Sequence, residues 1–175
     1  MSTKNEGADV QSTNELIITR TFNAPREMVF KAFTEAKSLA KWWGPKGVKL
    51  NVSRLEVKPG GEFLYNMETP DGSKMWGKFV YKEIQAPERI VFVSSFSDEK
   101  GNITPNPFLQ SFPLEIRNTL LLTENKGTTT LILRGGPIHA TQAELDNFTQ
   151  MMGGMEQGFK GTFDQLEEHL KELTA

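Results

Sequence analysis

The sequence predicts an α+β fold in which a curved antiparallel sheet of six or seven strands wraps around one long C-terminal helix. The last part of the chain carries an apolar stripe at helical spacing. Most of what precedes it consists of short β-branched and aromatic runs separated by turn residues. Because the last helix is the only large element available to cover one face of the sheet, the two are expected to pack together.

One strand and two short helices open the predicted fold. Glu15–Phe22 is rich in β-branched and apolar residues and predicts a strand. Asn23-Ala24-Pro25 predicts the start of a helix, since proline is favoured in the first helical turn. A second short helix is expected around Ser38–Trp42, and Gly44 and Pro45 end it.

Further strand-like runs follow, each closed by turn residues. They are Lys49–Lys58, Glu62–Glu68, Lys74–Gln85, Arg89–Phe96, Leu114–Thr123 and Thr128–Arg134. Gly135-Gly136-Pro137 is expected to close the sheet as a turn. The one long connection, Ser97–Pro113, is either a binding loop or a disordered hairpin tip, and the sequence leaves both open.

The C-terminal helix is predicted to open at Thr141, which stands at capping-box spacing from Glu144. Each glycine inside a helix lowers the stability of the helix by about 1 kcal/mol relative to alanine. Several glycines in one helix therefore need an explanation. We expect close backbone approach or adaptable walls around a space, with a kinked helix as the alternative. The apolar stripe is Phe148, Met152, Met155, Phe159, Phe163, Leu166 and Leu170, and the glycines are Gly153, Gly154, Gly158 and Gly161.

Composition limits the classes of protein and partner. A chain of 175 residues predicts one domain, over residues 15–173, after a flexible tail over residues 1–14. The net charge of −2 without a basic stripe argues against nucleic acid as the main partner. The polar N-terminus lacks the apolar segment of a signal peptide, and no apolar run approaches the ~20 residues of a membrane span. We therefore expect a cytoplasmic protein.

No residue pattern demands catalysis, a metal or a cofactor. The chain has no cysteine, which excludes disulfides, thiolate metal sites and cysteine nucleophiles. His169 is flanked by charged residues and is expected on a solvated helix face, while His139 is expected in a loop. Neither stands at a metal-binding spacing. No catalytic residue, metal site or cofactor is therefore assigned, and enzymatic activity stays open with a preference against it.

An ordered series of short motifs resembles a known family. The series includes Phe22-Asn-Ala-Pro25, Trp42-Trp43-Gly44-Pro45, Pro59-Gly60-Gly61, Pro70-Asp71-Gly72, Pro87-Glu88-Arg89-Ile90-Val91 and Gly158-Phe159. From about residue 15 to residue 172 the chain resembles the START-like, or SRPBCC, superfamily, whose helix-grip fold is shared with the birch-pollen allergen. Within it, the chain is similar to the branch named after the activator of the heat-shock protein 90 ATPase, except that Phe159 stands where tryptophan is common. The resemblance implies a cavity between sheet and helix.

Strand alternation selects the side chains expected to face that cavity. Methionine repacks and aromatic rings stack, so such a wall suits a flat or flexible apolar ligand; the alternative is that these residues simply form a core. Asn118 and Ser94 interrupt the apolar pattern and would either orient a ligand or tie down a neighbouring loop. The candidate ligand-binding residues are Trp43, Phe63, Tyr65, Met67, Trp76, Phe92, Ser94, Phe96, Asn118, Leu120, Leu133, Met151, Met152, Met155 and Phe159.

Three functions stay open. The first is a non-catalytic binding protein that takes up a small hydrophobic or amphipathic ligand. The second, implied by the resemblance, is a co-chaperone that binds a heat-shock protein 90 ATPase. The third is a cyclase- or hydrolase-like enzyme acting in the cavity. The sharpest structural prediction is a cavity bordered by Phe63, Phe92, Met152 and Phe159.

Overall fold

The computed structural model describes residues 15–174, which form one antiparallel sheet and three helices. The predicted tail over residues 1–14 lies outside the described residues. The helices are α1 (Arg26–Thr34), α2 (Ala36–Trp42) and α3 (Gln142–Thr174). The strands are β1 (Leu16–Phe22), β2 (Lys49–Leu55), β3 (Glu62–Glu68), β4 (Lys74–Gln85), β5 (Arg89–Ser97), β6 (Ile103–Thr104), β7 (Glu115–Asn125) and β8 (Thr128–Ile138). The predicted α+β helix-grip fold is confirmed.

The sheet runs in the order β1-β8-β7-β5-β4-β3-β2, and the short strand β6 pairs with β5. Its register fixes which side chains share the face that meets the helices. Tyr65 lies opposite Gly77, and Phe79 lies opposite Ser94. Phe92 lies opposite Asn118 on β7. Aromatic and polar side chains therefore meet on one face near the middle of the sheet.

The predicted turn at Gly135-Gly136-Pro137 was wrong, because β8 continues through it to Ile138. Gly135 pairs with Asn118 on one side and Leu16 on the other. A Cβ at Gly135 would stand 2.6 Å from the Asn118 amide oxygen, so glycine makes room for that side chain. At Pro137, the only partner strand of β8 among the described residues is β7, and a strand tolerates proline at such an edge position.

The C-terminal part of α3 packs into the core. Phe163 is fully buried, with ring centroids 6.3 Å from Phe22 and 6.2 Å from Trp42. Leu166 and Leu170, one and two turns further on, are buried too. Burying each such side chain contributes about 1.5–3 kcal/mol, so this part of α3 is firmly held.

His169 was predicted on a solvated face and is instead buried. It stands seven residues after the buried Thr162, and seven residues return to the same face of an α-helix. Its Nε2 lies 3.1 Å from the Ser38 hydroxyl on α2. The charged neighbours in the sequence point elsewhere, so helical periodicity was the better guide.

The predicted capping box is present at the start of α3. The Glu144 amide donates to the Thr141 hydroxyl at 3.1 Å, and the Thr141 amide donates to the Glu144 carboxylate at 2.9 Å. The expected close backbone approach at the helix glycines was wrong. All four glycines are exposed, and a Cβ at Gly153, Gly158 or Gly161 would meet nothing within 4 Å.

Candidate functional site

A cavity of about 270 Å³ lies between the sheet and the helices. The residues that line it, called the cavity wall below, come from five strands, from α1 and α3, and from two connecting segments. They are Phe33, Trp43, Pro45, Tyr65, Met67, Met75, Trp76, Gly77, Phe79, Phe92, Ser94, Ser95, Phe96, Phe112, Pro113, Leu114, Ile116, Asn118, Leu133 and Phe159. Most are apolar, which is typical of a small-molecule site.

Aromatic contacts centred on Phe79 build much of the cavity wall. The Phe79 ring stacks on Phe92 with centroids 4.3 Å apart. It meets the Trp43 ring edge to face at 5.3 Å and the Tyr65 ring at 5.9 Å. Each such pair adds about 0.5–1.5 kcal/mol beyond the burial of its area, so this side of the wall is preorganised.

Trp43 is positioned by α3. The Gln165 amide donates to the Gly44 carbonyl oxygen at 2.6 Å, and the Thr162 hydroxyl donates to the same oxygen at 3.3 Å. Gly44 has φ +100°, a left-handed conformation that favours glycine. Trp42 is buried and donates its indole N–H to the Ala32 carbonyl at 2.9 Å. The turn after α2 thus anchors one tryptophan in the core and places the next in the cavity wall.

Two groups of polar side chains interrupt the apolar wall. The Asn118 amide nitrogen donates to the Ser94 hydroxyl and to the Ile116 carbonyl, both at 3.0 Å. Elsewhere, burial raises the pKa of the Tyr65 hydroxyl, and the Trp43 indole opposes that rise. The Trp43 indole nitrogen is buried and has no hydrogen-bond partner of good geometry among the described residues.

The long connection before β7 contributes Phe112, Pro113 and Leu114 to the cavity wall. The Asn147 amide on α3 donates to the Ser111 carbonyl at 2.7 Å. The Phe112 ring lies 6.0 Å from the ring of the buried Phe148. These contacts join the connection to the first turns of α3.

Ten of the candidate residues belong to the cavity wall, and five do not. The ten are Trp43, Tyr65, Met67, Trp76, Phe92, Ser94, Phe96, Asn118, Leu133 and Phe159. Phe63 and Leu120 face inward but are fully buried in the core, and the Phe63 ring packs against Tyr65 and Phe79, which line the cavity. Met151 is exposed, and Met152 and Met155 are half-buried outside the wall. Of the four residues expected to border the cavity, Phe92 and Phe159 do, and Phe63 and Met152 do not.

The remaining wall residues were missed for identifiable reasons. Alternation along β4 places Met75, Gly77 and Phe79 on one face, and this pattern was available from the sequence. The same alternation from Leu114 into β7 places Leu114, Ile116 and Asn118 on one face, but only Asn118 was among the candidate residues. Phe33, Pro45 and the 112–113 segment come from outside the regular strands, where alternation gives no signal.

The cavity wall contains no Asp, Glu, Lys, Arg or His side chain from the described residues. Within residues 15–174, no group of three or more His, Cys, Asp or Glu side chains could hold a metal ion. The described helices include none long and apolar enough to cross a membrane. The site is therefore an apolar cavity with a few neutral hydrogen-bonding groups.

Comparison with known proteins gives one family and many similar structures. The family model described as Activator of Hsp90 ATPase homolog 1-like protein matches residues 23–171. A Mycobacterium smegmatis protein is 28% identical, with TM-score 0.72 over 90% of this chain and 91% of its own. An Arthrobacter aurescens protein is 25% identical, with TM-score 0.76 over 92% and 88%. A Staphylococcus epidermidis protein is 26% identical, with TM-score 0.72 over 91% and 90%. A search of the curated proteins found no match.

Proposed function

This chain belongs to the family of activator of Hsp90 ATPase homolog 1-like proteins, and we propose that it is a non-catalytic protein that binds a small hydrophobic or amphipathic molecule. The family and its fold are compatible with ligand binding and with a role like that of an Hsp90 co-chaperone. The bound molecule would lie in the cavity between the sheet and α3. It would enter beside the connection that carries Phe112 and Pro113.

The observation that carries this proposal is a preformed apolar cavity without a charged wall residue. At about 270 Å³ the cavity is slightly below the usual range for drug-sized ligands, which favours a molecule of one to three rings or a short chain. Burying a charge without a partner costs several kcal/mol, so an uncharged ligand is expected.

Binding without catalysis fits the titratable groups of the cavity wall. Among the described residues, Tyr65 is the only titratable side chain of the cavity wall. Its raised pKa keeps the hydroxyl protonated near neutral pH. A general acid or base works best with a pKa near the operating pH. The wall therefore supplies orientation and hydrogen bonds rather than proton transfer, which disfavours the cyclase- or hydrolase-like alternative.

The first test is native mass spectrometry of the freshly purified protein, with organic extraction of bound material. We expect a reproducible adduct that leaves on denaturation. Ile116→Trp should abolish the adduct, because the larger side chain fills the cavity. Ile132→Trp makes the same change at a half-buried position outside the cavity wall and should retain it. Equal adduct levels in both variants, or none in the wild type and no binding of added probes, would refute the proposal.

A second candidate, a co-chaperone that contacts a heat-shock ATPase, is favoured by one surface residue. The Asn106 side-chain oxygen accepts hydrogen bonds from the backbone amides of Phe108 and Leu109 at 2.7 and 3.0 Å. These bonds order the loop around the exposed Phe108. Phe108 is 73% exposed, so its ring is accessible to another protein. Stimulation of a purified Hsp90-type ATPase that falls in Phe108→Ser would support this candidate, and no stimulation by the wild type would reject it.

A further inference from the structure

The Trp43 indole N–H is a buried donor in the cavity wall that has no hydrogen-bond partner in the described part of the chain. Leaving a buried donor unpaired costs about 1–3 kcal/mol, so such groups are few in folded proteins. An indole N–H can only donate, so an acceptor atom of a bound molecule would satisfy it.

Gly77 lets the Tyr65 hydroxyl lie where it does. A Cβ at Gly77 would stand 2.6 Å from the Tyr65 hydroxyl oxygen and 2.8 Å from the ring carbon that bears it. Tyr65 is only 8% exposed and lines the cavity, and among the described residues its hydroxyl hydrogen has no acceptor. That hydrogen is therefore available to a bound molecule.

The same argument applies to Ser94, which also lines the cavity. The Ile116 carbonyl can only accept, so it fixes which end of the Asn118 amide faces it. The nitrogen of that amide then donates to the Ser94 hydroxyl oxygen as well. Ser94 therefore acts as an acceptor towards Asn118, and its own hydrogen is left for a ligand.

We propose that Tyr65 and Ser94 are the specificity-determining residues of the cavity, and that they select uncharged ligands carrying hydrogen-bond acceptors such as carbonyl oxygens. The inference rests on the proposed function, since it concerns what the same cavity binds. Asn118 is a positioning residue, because it turns the Ser94 hydroxyl into a donor. A pure hydrocarbon would leave both donors unpaired in an apolar space, which lowers its affinity relative to a ketone of the same shape.

The test compares 1-tetralone with tetralin, two bicyclic molecules of nearly the same shape of which only the ketone has an acceptor. Protein-observed NMR titrations would give Kd for each probe. The ratio Kd(tetralin)/Kd(1-tetralone) should be about threefold to tenfold lower in the double variant Tyr65→Phe/Ser94→Ala than in the wild type. Each single variant should show part of that decrease. Because the ratio is compared between protein variants, the difference in hydration between the two probes cancels.

Tyr81→Phe is the matched control. Tyr81 is a second buried tyrosine, and its hydroxyl has no partner within residues 15–174, but it lies outside the cavity wall, so its removal should leave the ratio unchanged. The indole N–H signals give a second readout. The ketone should shift the Trp43 signal more than the hydrocarbon does, because only the ketone brings an acceptor into the cavity wall, while the Trp42 signal, bonded to Ala32, stays in place.

The outcomes separate this inference from the proposed function. If both probes bind and the double variant keeps the wild-type ratio within about twofold, the cavity binds ligands but the two hydroxyls do not select them. If neither probe binds the wild type up to its solubility limit, the proposed function fails and this inference fails with it. A lowered ratio in Tyr81→Phe would also overturn the inference, because the effect would then be unspecific.

Discussion

Two adjacent parts of α3 differ sharply in how they are held. From residue 162 onward, five side chains are buried, among them Phe163, Leu166 and His169. From residue 149 to residue 161 no residue is buried, and four of the thirteen are glycines. The same helix is therefore a packed core element at its C-terminal end and a loosely covered segment beside the cavity.

The difference assigns separate roles to the two parts. The loosely covered segment is held at its ends, by Phe148 and Asn147 before it and by Phe163 after it. It contributes Phe159 to the cavity wall. Segments with few buried contacts open at lower free energy than the core, so this part of α3 can adjust around a ligand while the C-terminal part keeps the fold.

The largest expected effect is loss of stability when the packed part is truncated. Phe163→Ala should lower the free energy of unfolding by about 3–5 kcal/mol, because it leaves a cavity among fully buried rings. Met151→Ala removes a side chain that is 37% exposed and should cost less than about 0.5 kcal/mol. Urea denaturation of both variants measures the contrast, and similar losses would show that the two parts are held alike.

The next effect concerns a glycine in the cavity wall. Gly77→Ala should destabilise the protein by about 1–3 kcal/mol, because the new methyl group overlaps the Tyr65 hydroxyl. It should also move that hydroxyl and weaken the binding of 1-tetralone. Thermal denaturation and an NMR titration check the two effects, and a variant as stable as the wild type would mean that the Tyr65 side chain can shift there without cost.

The sequence predicted the site residues correctly mainly where they lie on regular strands. Alternation placed Tyr65, Phe92 and Asn118 on the inner face because side chains in a strand alternate strictly between faces. It could not say how far along the strand the cavity extends, since that depends on which rings fill the sheet. The prediction was therefore right about the direction in which Phe63 points and wrong about its surroundings.

The helix was harder to interpret than the sheet. An apolar stripe predicts which face of α3 is apolar, but not which turns of that face are covered. Coverage of Met152 and Met155 depends on how far the sheet reaches along α3, which is a property of the packed chain. His169 shows a different error. Its charged sequence neighbours led to the prediction of a solvated position, although the helical period places it on the buried face.

A smaller effect, of opposite sign, is expected for the loosely covered segment. Gly158→Ala should stabilise the protein by about 0.5–1 kcal/mol, since a Cβ there meets nothing within 4 Å and alanine is the better helix former. The urea midpoint should rise with an unchanged slope. A destabilised variant would reveal that the segment packs more closely than its exposure indicates.

The smallest effect is a pH dependence arising in the packed part. Burial lowers the pKa of His169, Lys41 on α2 lowers it further, and Glu172 opposes both. The folded state thus favours the neutral ring, so its contribution to stability is present above about pH 6.5 and is lost as pH falls below that value. His169→Gln should lose less stability than the wild type between about pH 7.5 and pH 5. Parallel pH profiles would contradict this.

The most direct test of the cavity as the binding site is isotope-filtered NMR of the protein with bound 1-tetralone. Nuclear Overhauser effects should connect the ligand to methyl groups of Ile116, Leu133 and Met67, which belong to the cavity wall. None should reach Ile132 or Met151, which do not. Ligand contacts to Ile132 or Met151 without contacts to the wall methyls would contradict the account.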